Sequence, residues 1–188
     1  MLRETVHALA ACVVTFVLYA VAYPAVVWGL AQLAFPRQAA GSLLYGRDRS
    51  VIGSELVAQP FAAAGYFHPR PSAVDYKADA TGGSNLGPKN PDLRKKVADR
   101  AEALGATPEG PAPVDLVTAS GGGLDPHISP EAARYQIARV AAARHLPLDP
   151  LGALIDAHTE RSGAILGAPP RVNVLMLNIA LDEHFAAP

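Results

Sequence analysis

Over residues 8–35 the chain carries no charged side chain, and Gln32 is its only strongly polar one apart from Thr15 and the aromatics Tyr19, Tyr23 and Trp28. About 20 helical residues cross a hydrocarbon core of roughly 30 Å, so this run predicts one transmembrane helix with length to spare for tilt. Pro24 would break a soluble helix but is tolerated in a spanning one, where neighbours and local adjustments satisfy the freed carbonyl. A cleaved signal peptide has a shorter apolar core, roughly 7–15 residues, followed by a small-residue cleavage site. Here the apolar stretch runs on. Leu9-Ala10-Ala11-Cys12 looks like a lipoprotein cleavage box, but in such a box the apolar region precedes the cysteine, and here it follows.

Beyond Phe35 the pattern changes to short elements separated by glycine, proline and asparagine. Residues 51–61 alternate partly and predict a strand or two. Residues 65–71 are aromatic and proline-rich, hence extended or turning, and residues 81–91 are almost pure turn chemistry. Asp92 is placed to cap a helix running to about Leu104, which Gly105 ends. Residues 114–118 read as a short apolar strand leading into Ser120-Gly121-Gly122-Gly123. Ser129 then caps a helix with Pro130 at its first position and Glu131 near its positive end, running to about His145. A further helix is predicted from Asp149-Pro150 to about Thr159, and after Pro170 a strand that passes into a helix. Helices and strands mix without a regular βαβ repeat, so the expected fold class is α+β: a single N-terminal transmembrane helix, residues 8–35, followed by one small mixed soluble domain, residues 36–188.

Composition adds limits. A formal net charge of -1 lacks the basic patch of a nucleic-acid binder, so no nucleic-acid partner is expected. The 17 prolines and 16 glycines are dispersed as punctuation rather than gathered into a low-complexity tail. Cys12 is the only cysteine and lies in the apolar run, which rules out a disulfide framework or a cysteine-based zinc site. Arg3 stands before the span, and Arg37, Arg47 and Arg49 follow it. That count alone places the C-terminal domain in the cytoplasm.

The glycine loop of residues 120–123 is the most suggestive local feature, because successive backbone N–H groups next to a helix N-terminus can cradle phosphate. It lacks the lysine and closing Ser/Thr of a Walker loop, and Asp125 nearby would repel phosphate; an ordinary tight connection is the alternative. The loop of residues 82–91 is either structural or a docking surface. None of the six histidines has zincin spacing, and no G-x-S-x-G elbow is present. Asp125/His127 and Asp156/His158 are two residues apart, a spacing that does not face on a helix. No catalytic residues and no metal site are assigned. A single helix cannot enclose an ion path, so any part in transport is that of a subunit.

Six strings run through nearly the whole chain in order: Y-P-A-V-V-W-G-L-A-Q from Tyr23, G-S-E-L-V-A-Q from Gly53, Y-F-H-P-R-P-S from Tyr66, G-G-S-N-L-G-P-K-N-P from Gly82, P-V-D-L-V-T-A-S-G-G-G-L-D-P-H-I-S-P from Pro113 and R-V-N-V-L-M-L-N-I-A-L-D from Arg171. With them the sequence resembles the C subunit of the bacterial Kdp system, the high-affinity potassium-transporting P-type ATPase. The resemblance implies a non-catalytic subunit of the inner membrane. Its partners would be a channel-like potassium-translocating subunit, an ATP-hydrolysing P-type pump subunit, a small accessory membrane subunit and the lipid bilayer. It further implies that the chain stabilises the assembly and acts as a catalytic chaperone raising the pump subunit's affinity for ATP, with Ser120, Gly121, Gly122, Gly123 and Gln136 as nucleotide contacts. It also implies a soluble domain on the extracytoplasmic side, against the arginine count, and we take that side as the expectation. The chain departs from the family after His158-Thr159-Glu160, where Arg161 replaces the usual glycine and residues 162–170 are looser. The competing readings are a membrane-anchored extracytoplasmic enzyme and a free-standing nucleotide-binding module.

Overall fold

The structure is a computed structural model that describes residues 1–46, 48–161 and 167–185. Arg47 of the charge count and most of the loop after Arg161 therefore lie outside the described residues. Contacts divide the chain into two compact units, Met1–Ile52 and Gly53–Pro188.

The first unit is dominated by a continuous helix, Leu2–Ala34, of 33 residues. At 1.5 Å per residue it is about 50 Å long, more than a hydrocarbon core requires. It consists of α1 (Leu2–Phe16), a π-helical turn (Val17–Ala22) and α2 (Tyr23–Ala34). The π turn lies just ahead of Pro24, whose ring crowds the preceding turn and which has no N–H to give. The ladder widens there: Tyr23 N–H reaches back five residues to Leu18 O. No residue of this helix is buried by its own chain. A short α3 (Pro36–Ala39) follows, then β1 (Leu43–Tyr45), which pairs with β2 (Val51–Ser54) in a two-stranded sheet.

The second unit is α+β, as expected. Residues 55–90 contain no helix or strand. In α4 (Pro91–Ala103) the cap is Asn90, whose side chain accepts from Asp92 N at 2.8 Å. The expected cap, Asp92, is instead a first-turn acid, because Pro91 takes the first helical position. Gly105 closes the helix at φ +69. The predicted strand at residues 114–118 is a single helical turn, α5 (Val114–Val117), started by extended Pro113 and closed by Thr118 Oγ1 donating to Val114 O at 2.7 Å. The short apolar run suits either geometry, and burial of Leu116 and Val117 is met by a turn.

After β3 (His127–Ile128), Ser129 caps as predicted, accepting from Ala132 N at 3.1 Å. The single helix expected from Pro130 is broken at Gln136 into α6 (Pro130–Tyr135) and α7 (Ile137–Arg144), and His145 ends α7 in the left-handed region. Next come α8 (Leu148–Ala157) and β4 (Thr159–Glu160), then the predicted strand-into-helix, β5 (Arg171–Asn173) and α9 (Val174–His184). Strand order is β3-β5-β4, antiparallel throughout, with Ile128 and Thr159 both opposite Val172. Val140, Leu151, Ile155, Leu177 and Leu181 are fully buried in one core with Phe67. Each such side chain contributes about 1.5–3 kcal/mol relative to exposure.

Candidate functional site

Phe67 reaches the core from a segment with no secondary structure of its own, so the backbone polar groups of residues 63–71 need other partners. Side chains provide most of them. Asn178, buried on α9, accepts from Phe67 N at 2.8 Å and donates to Phe67 O at 2.9 Å. Gln136 does the same for the next residue, accepting from His68 N at 2.8 Å and donating to His68 O at 3.1 Å. The two carboxamides thus imitate a neighbouring strand. Arg139 donates to Ala64 O at 2.6 Å and to Tyr66 O at 2.9 Å, and also to Gln136 Oε1 at 2.6 Å. Arg144 donates to Gly65 O at 2.6 Å, Tyr76 OH to Arg70 O at 2.8 Å, and Ser120 N to Pro71 O at 3.1 Å. Residues 63–71 form a strap clamped from α7, α9 and the Gln136 break.

The strap sets the charges around it. The Arg144 side chain is fully buried, bonds Asp182 at 2.6 Å and lies 4.7 Å over the Tyr66 ring, while Tyr66 OH donates to the other Asp182 oxygen at 2.9 Å. Burial and the Asp182 carboxylate push the Tyr66 phenol above its ordinary value. Burial pushes the His68 imidazole below its ordinary value, and the Arg139 charge adds to the effect.

The loop of residues 120–123 lies against the other glycine loop. Gly82 N donates to Gly122 O at 3.0 Å, and a Cβ on Gly83 would sit 2.7 Å from Gly121 O. Gly123 has φ +73, and a Cβ there would be 2.6 Å from Val74 Cγ2 and 2.9 Å from Gly82 O. Gly121 and Gly122 are exposed, with open space where a side chain would stand. The loop does not run directly into the Ser129 helix, because β3 intervenes. Asp115 already occupies that helix's positive end, accepting from Ser129 N at 2.8 Å.

Gln136 lines a cavity of about 320 Å³ with Phe61, His68, Tyr76 and Arg100, and none of residues 120–123 lines it. A second cavity, of about 410 Å³, is lined by Ser72, Asp75, Gly83, Ser84, Lys96, Arg100 and Ala119, the residue before Ser120. Arg100 is common to both and is held by a 2.9 Å bond to Val117 O. Lys96 and Arg100 lie four residues apart on one face of α4. Asn178, Arg139 and Arg144 were not found from the sequence, because the strap groups they bond lie far away along the chain; the Lys96/Arg100 pair was not found because the rest of its cavity comes mainly from residues 72–84 and Ala119.

The two carboxylate–imidazole pairs behave differently. Asp125 and His127 do meet, because the helical argument does not apply to them: Asp125 lies in the irregular segment that leads into β3, and His127 is that strand's first residue. Asp125 Oδ1 accepts from His127 N at 3.0 Å and is 3.5 Å from His127 Nδ1. Hydrogen bonding from His127 holds the Asp125 carboxyl below its ordinary value despite partial burial, and Arg70, at 3.3 Å, acts in the same direction. Asp156 pairs instead with Arg134, and His158 Nδ1 lies 2.9 Å from Leu154 O. Among the described residues no group of three or more His, Cys, Asp or Glu side chains converges as metal ligands would.

A helix long and apolar enough to cross a bilayer, followed in the chain by a small α+β domain built around a clamped strap, is the layout of a membrane-associated protein. The family described as "K+-transporting ATPase, c chain" matches residues 5–183, and the chain belongs to this KdpC family. A potassium-transporting ATPase KdpC subunit of Pseudomonas syringae pv. tomato is 51% identical over 181 residues, covering 96% of this chain and 94% of the relative. The protein of the same name from Myxococcus xanthus is 50% identical over 184 residues, covering 95% and 87%. The one from Geobacter metallireducens is 54% identical over 166 residues, covering 86% and 87%. Membership supports a role in the potassium-transporting ATPase complex at the membrane.

Proposed function

We propose that the chain serves the potassium-transporting ATPase as a non-catalytic subunit that stabilises the assembly, with its soluble domain outside the cytoplasmic membrane. Its partners in this reading are the channel-like potassium-translocating subunit, the ATP-hydrolysing pump subunit and the small accessory membrane subunit. The observation that carries it is the helix Leu2–Ala34, apolar over a full span and uncovered by its own chain. Such a helix is stable within lipid and beside other helices, yet alone it cannot enclose an ion path. The test is deletion of the chain followed by growth on micromolar potassium and co-purification of the remaining subunits. Loss of both is expected. Potassium transport or ATP hydrolysis by the purified chain alone would overturn the proposal. For the side of the domain, Glu109→Cys in a Cys12→Ser background reacts with an impermeant maleimide in intact cells if the domain is external.

A second reading, the ATP-affinity chaperone with contacts from Ser120, Gly121, Gly122, Gly123 and Gln136, is favoured by one observation: the exposed Gly121 and Gly122 peptides lie close in sequence to Ala119 of the cavity holding Lys96 and Arg100. Gln136 would have to release His68 to take part. Gly121→Ala/Gly122→Ala adds two methyls where space is open, so folding is kept while phosphate approach is blocked. A raised KM for ATP in the assembled complex supports this reading, and an unchanged KM removes it.

A further inference from the structure

The π-helical turn before Pro24 leaves one backbone carbonyl, that of Tyr19, without an N–H from its own helix. A helical carbonyl is normally served by the N–H four residues on, or five on in a π turn. For Tyr19 O these are Tyr23, whose N–H is given to Leu18 O, and Pro24, which has none. Tyr23 follows Tyr19 by four residues, so both rings leave the helix on one flank. They are 67% and 63% exposed, and among the described residues none bonds either hydroxyl. In a bilayer centred on the uncharged run 8–35, Tyr19 and Tyr23 straddle the midplane, away from the interfacial belts where a tyrosine hydroxyl meets water. Lipid tails offer no hydrogen bonds, so each unmet group is costly there.

We infer that this flank, comprising the Tyr19 carbonyl and the Tyr19 and Tyr23 hydroxyls, is a docking notch for a transmembrane helix of another subunit of the ATPase, one that carries polar side chains at the same depth. The partner supplies a donor to the carbonyl and acceptors to the hydroxyls. A second copy of this chain does not fit. Two parallel copies would set tyrosine rings against tyrosine rings at one level, holding the axes beyond the 8–10 Å at which a side chain reaches a facing backbone. The inference rests on the reading of the chain as a membrane-anchored subunit and adds which flank is covered and by what chemistry.

The experiment uses the full complex in a Cys12→Ser background, with this chain as bait after detergent extraction. Tyr19→Phe/Tyr23→Phe deletes only two hydroxyls. At roughly 3-fold per interhelical hydrogen bond, retention of the larger subunits falls about 10-fold. Tyr45→Phe, in the hairpin, leaves it unchanged. Pro24→Ala returns the missing N–H and strengthens the helix on its own, yet retention still falls, because the carbonyl no longer needs the partner. Val27→Cys, on the tyrosine flank, cross-links to a larger subunit, and Val21→Cys, opposite, does not. Alkaline extraction separates the two ideas: a chain that washes off the membrane defeats the anchored-subunit reading. A membrane-retained chain whose variants lose nothing, or whose cross-links join two copies or form equally at both positions, overturns the notch.

Discussion

Gln136→Ala separates a structural from a nucleotide-contacting role. In the wild type the Gln136 amide accepts from His68 N and donates to His68 O, at 2.8 and 3.1 Å, so truncation strips both partners from one peptide pair. A buried polar group left unpaired costs about 1–3 kcal/mol. His68 is only part-buried and water can replace some of the loss, so the two groups together give about 2–4 kcal/mol. For a domain of this size that is a fall in Tm on the order of 8–15 °C. Asn178→Ala makes the same cut at Phe67, which is fully buried, and should cost more, about 3–5 kcal/mol. Thermal unfolding of the full chain in detergent, followed by circular dichroism, measures both. Asn178→Ala below Gln136→Ala below wild type is the expected order. A Gln136→Ala protein that unfolds like the wild type while the assembled ATPase shows a raised KM for ATP would refute the clamp and transfer the residue to nucleotide binding.

Three further outcomes are expected. Gly123→Ala destabilises by about 2–3 kcal/mol, through strain at positive φ and collision with Val74 and Gly82, whereas Gly122→Ala stays within about 0.5 kcal/mol, as denaturant midpoints should show. Arg144→Met strands the Gly65 carbonyl and removes the cation beside Asp182, which keeps only Tyr66 OH and water, and costs about 2–4 kcal/mol, while Arg134→Met, whose ion pair with Asp156 is exposed, costs less than about 1 kcal/mol. His68 is held below its ordinary pKa, so the unfolded chain takes up this proton at higher pH than the folded one. Stability from this group is complete above the unfolded value of about 6.5 and is lost as pH falls towards the folded one. A Tm series from pH 8 to pH 5 should decline over that range, and His68→Gln should flatten it.

Features specified by neighbours along the chain were readable in advance: the apolar run, Ser129-Pro130 opening α6, and the strand that turns into helix after Pro170. Misreadings arose where local signals are degenerate. Asn90 and Asp92 both suit a cap, and Pro91 decides between them by occupying the first helical position. Three apolar residues among the four at 114–117 fit a strand or a turn equally well. The clamps were invisible for another reason: Gln136 reaches 68 residues back and Asn178 reaches 111, and nothing in V-N-V-L-M-L-N-I-A-L-D says what the second asparagine holds. The glycine loop was legible as a loop, but its packing against Gly82 and Gly83 was not.

The clamped strap also bears on how the protein is made. Residues 55–90 leave the ribosome soon after the anchor, yet they have no helix or hairpin to form in the meantime, and their bonding partners, from Gln136 to Asp182, are still to be synthesised. At roughly 5–20 residues per second the wait for α9 lasts several seconds, with Phe61, Tyr66 and Phe67 uncovered. Translation stopped before Asn178 would leave Phe67 without its carboxamide clamp and Tyr66 and Arg144 without Asp182, so quality-control proteases should find cleavage sites in the strap before they find any in the helices that follow.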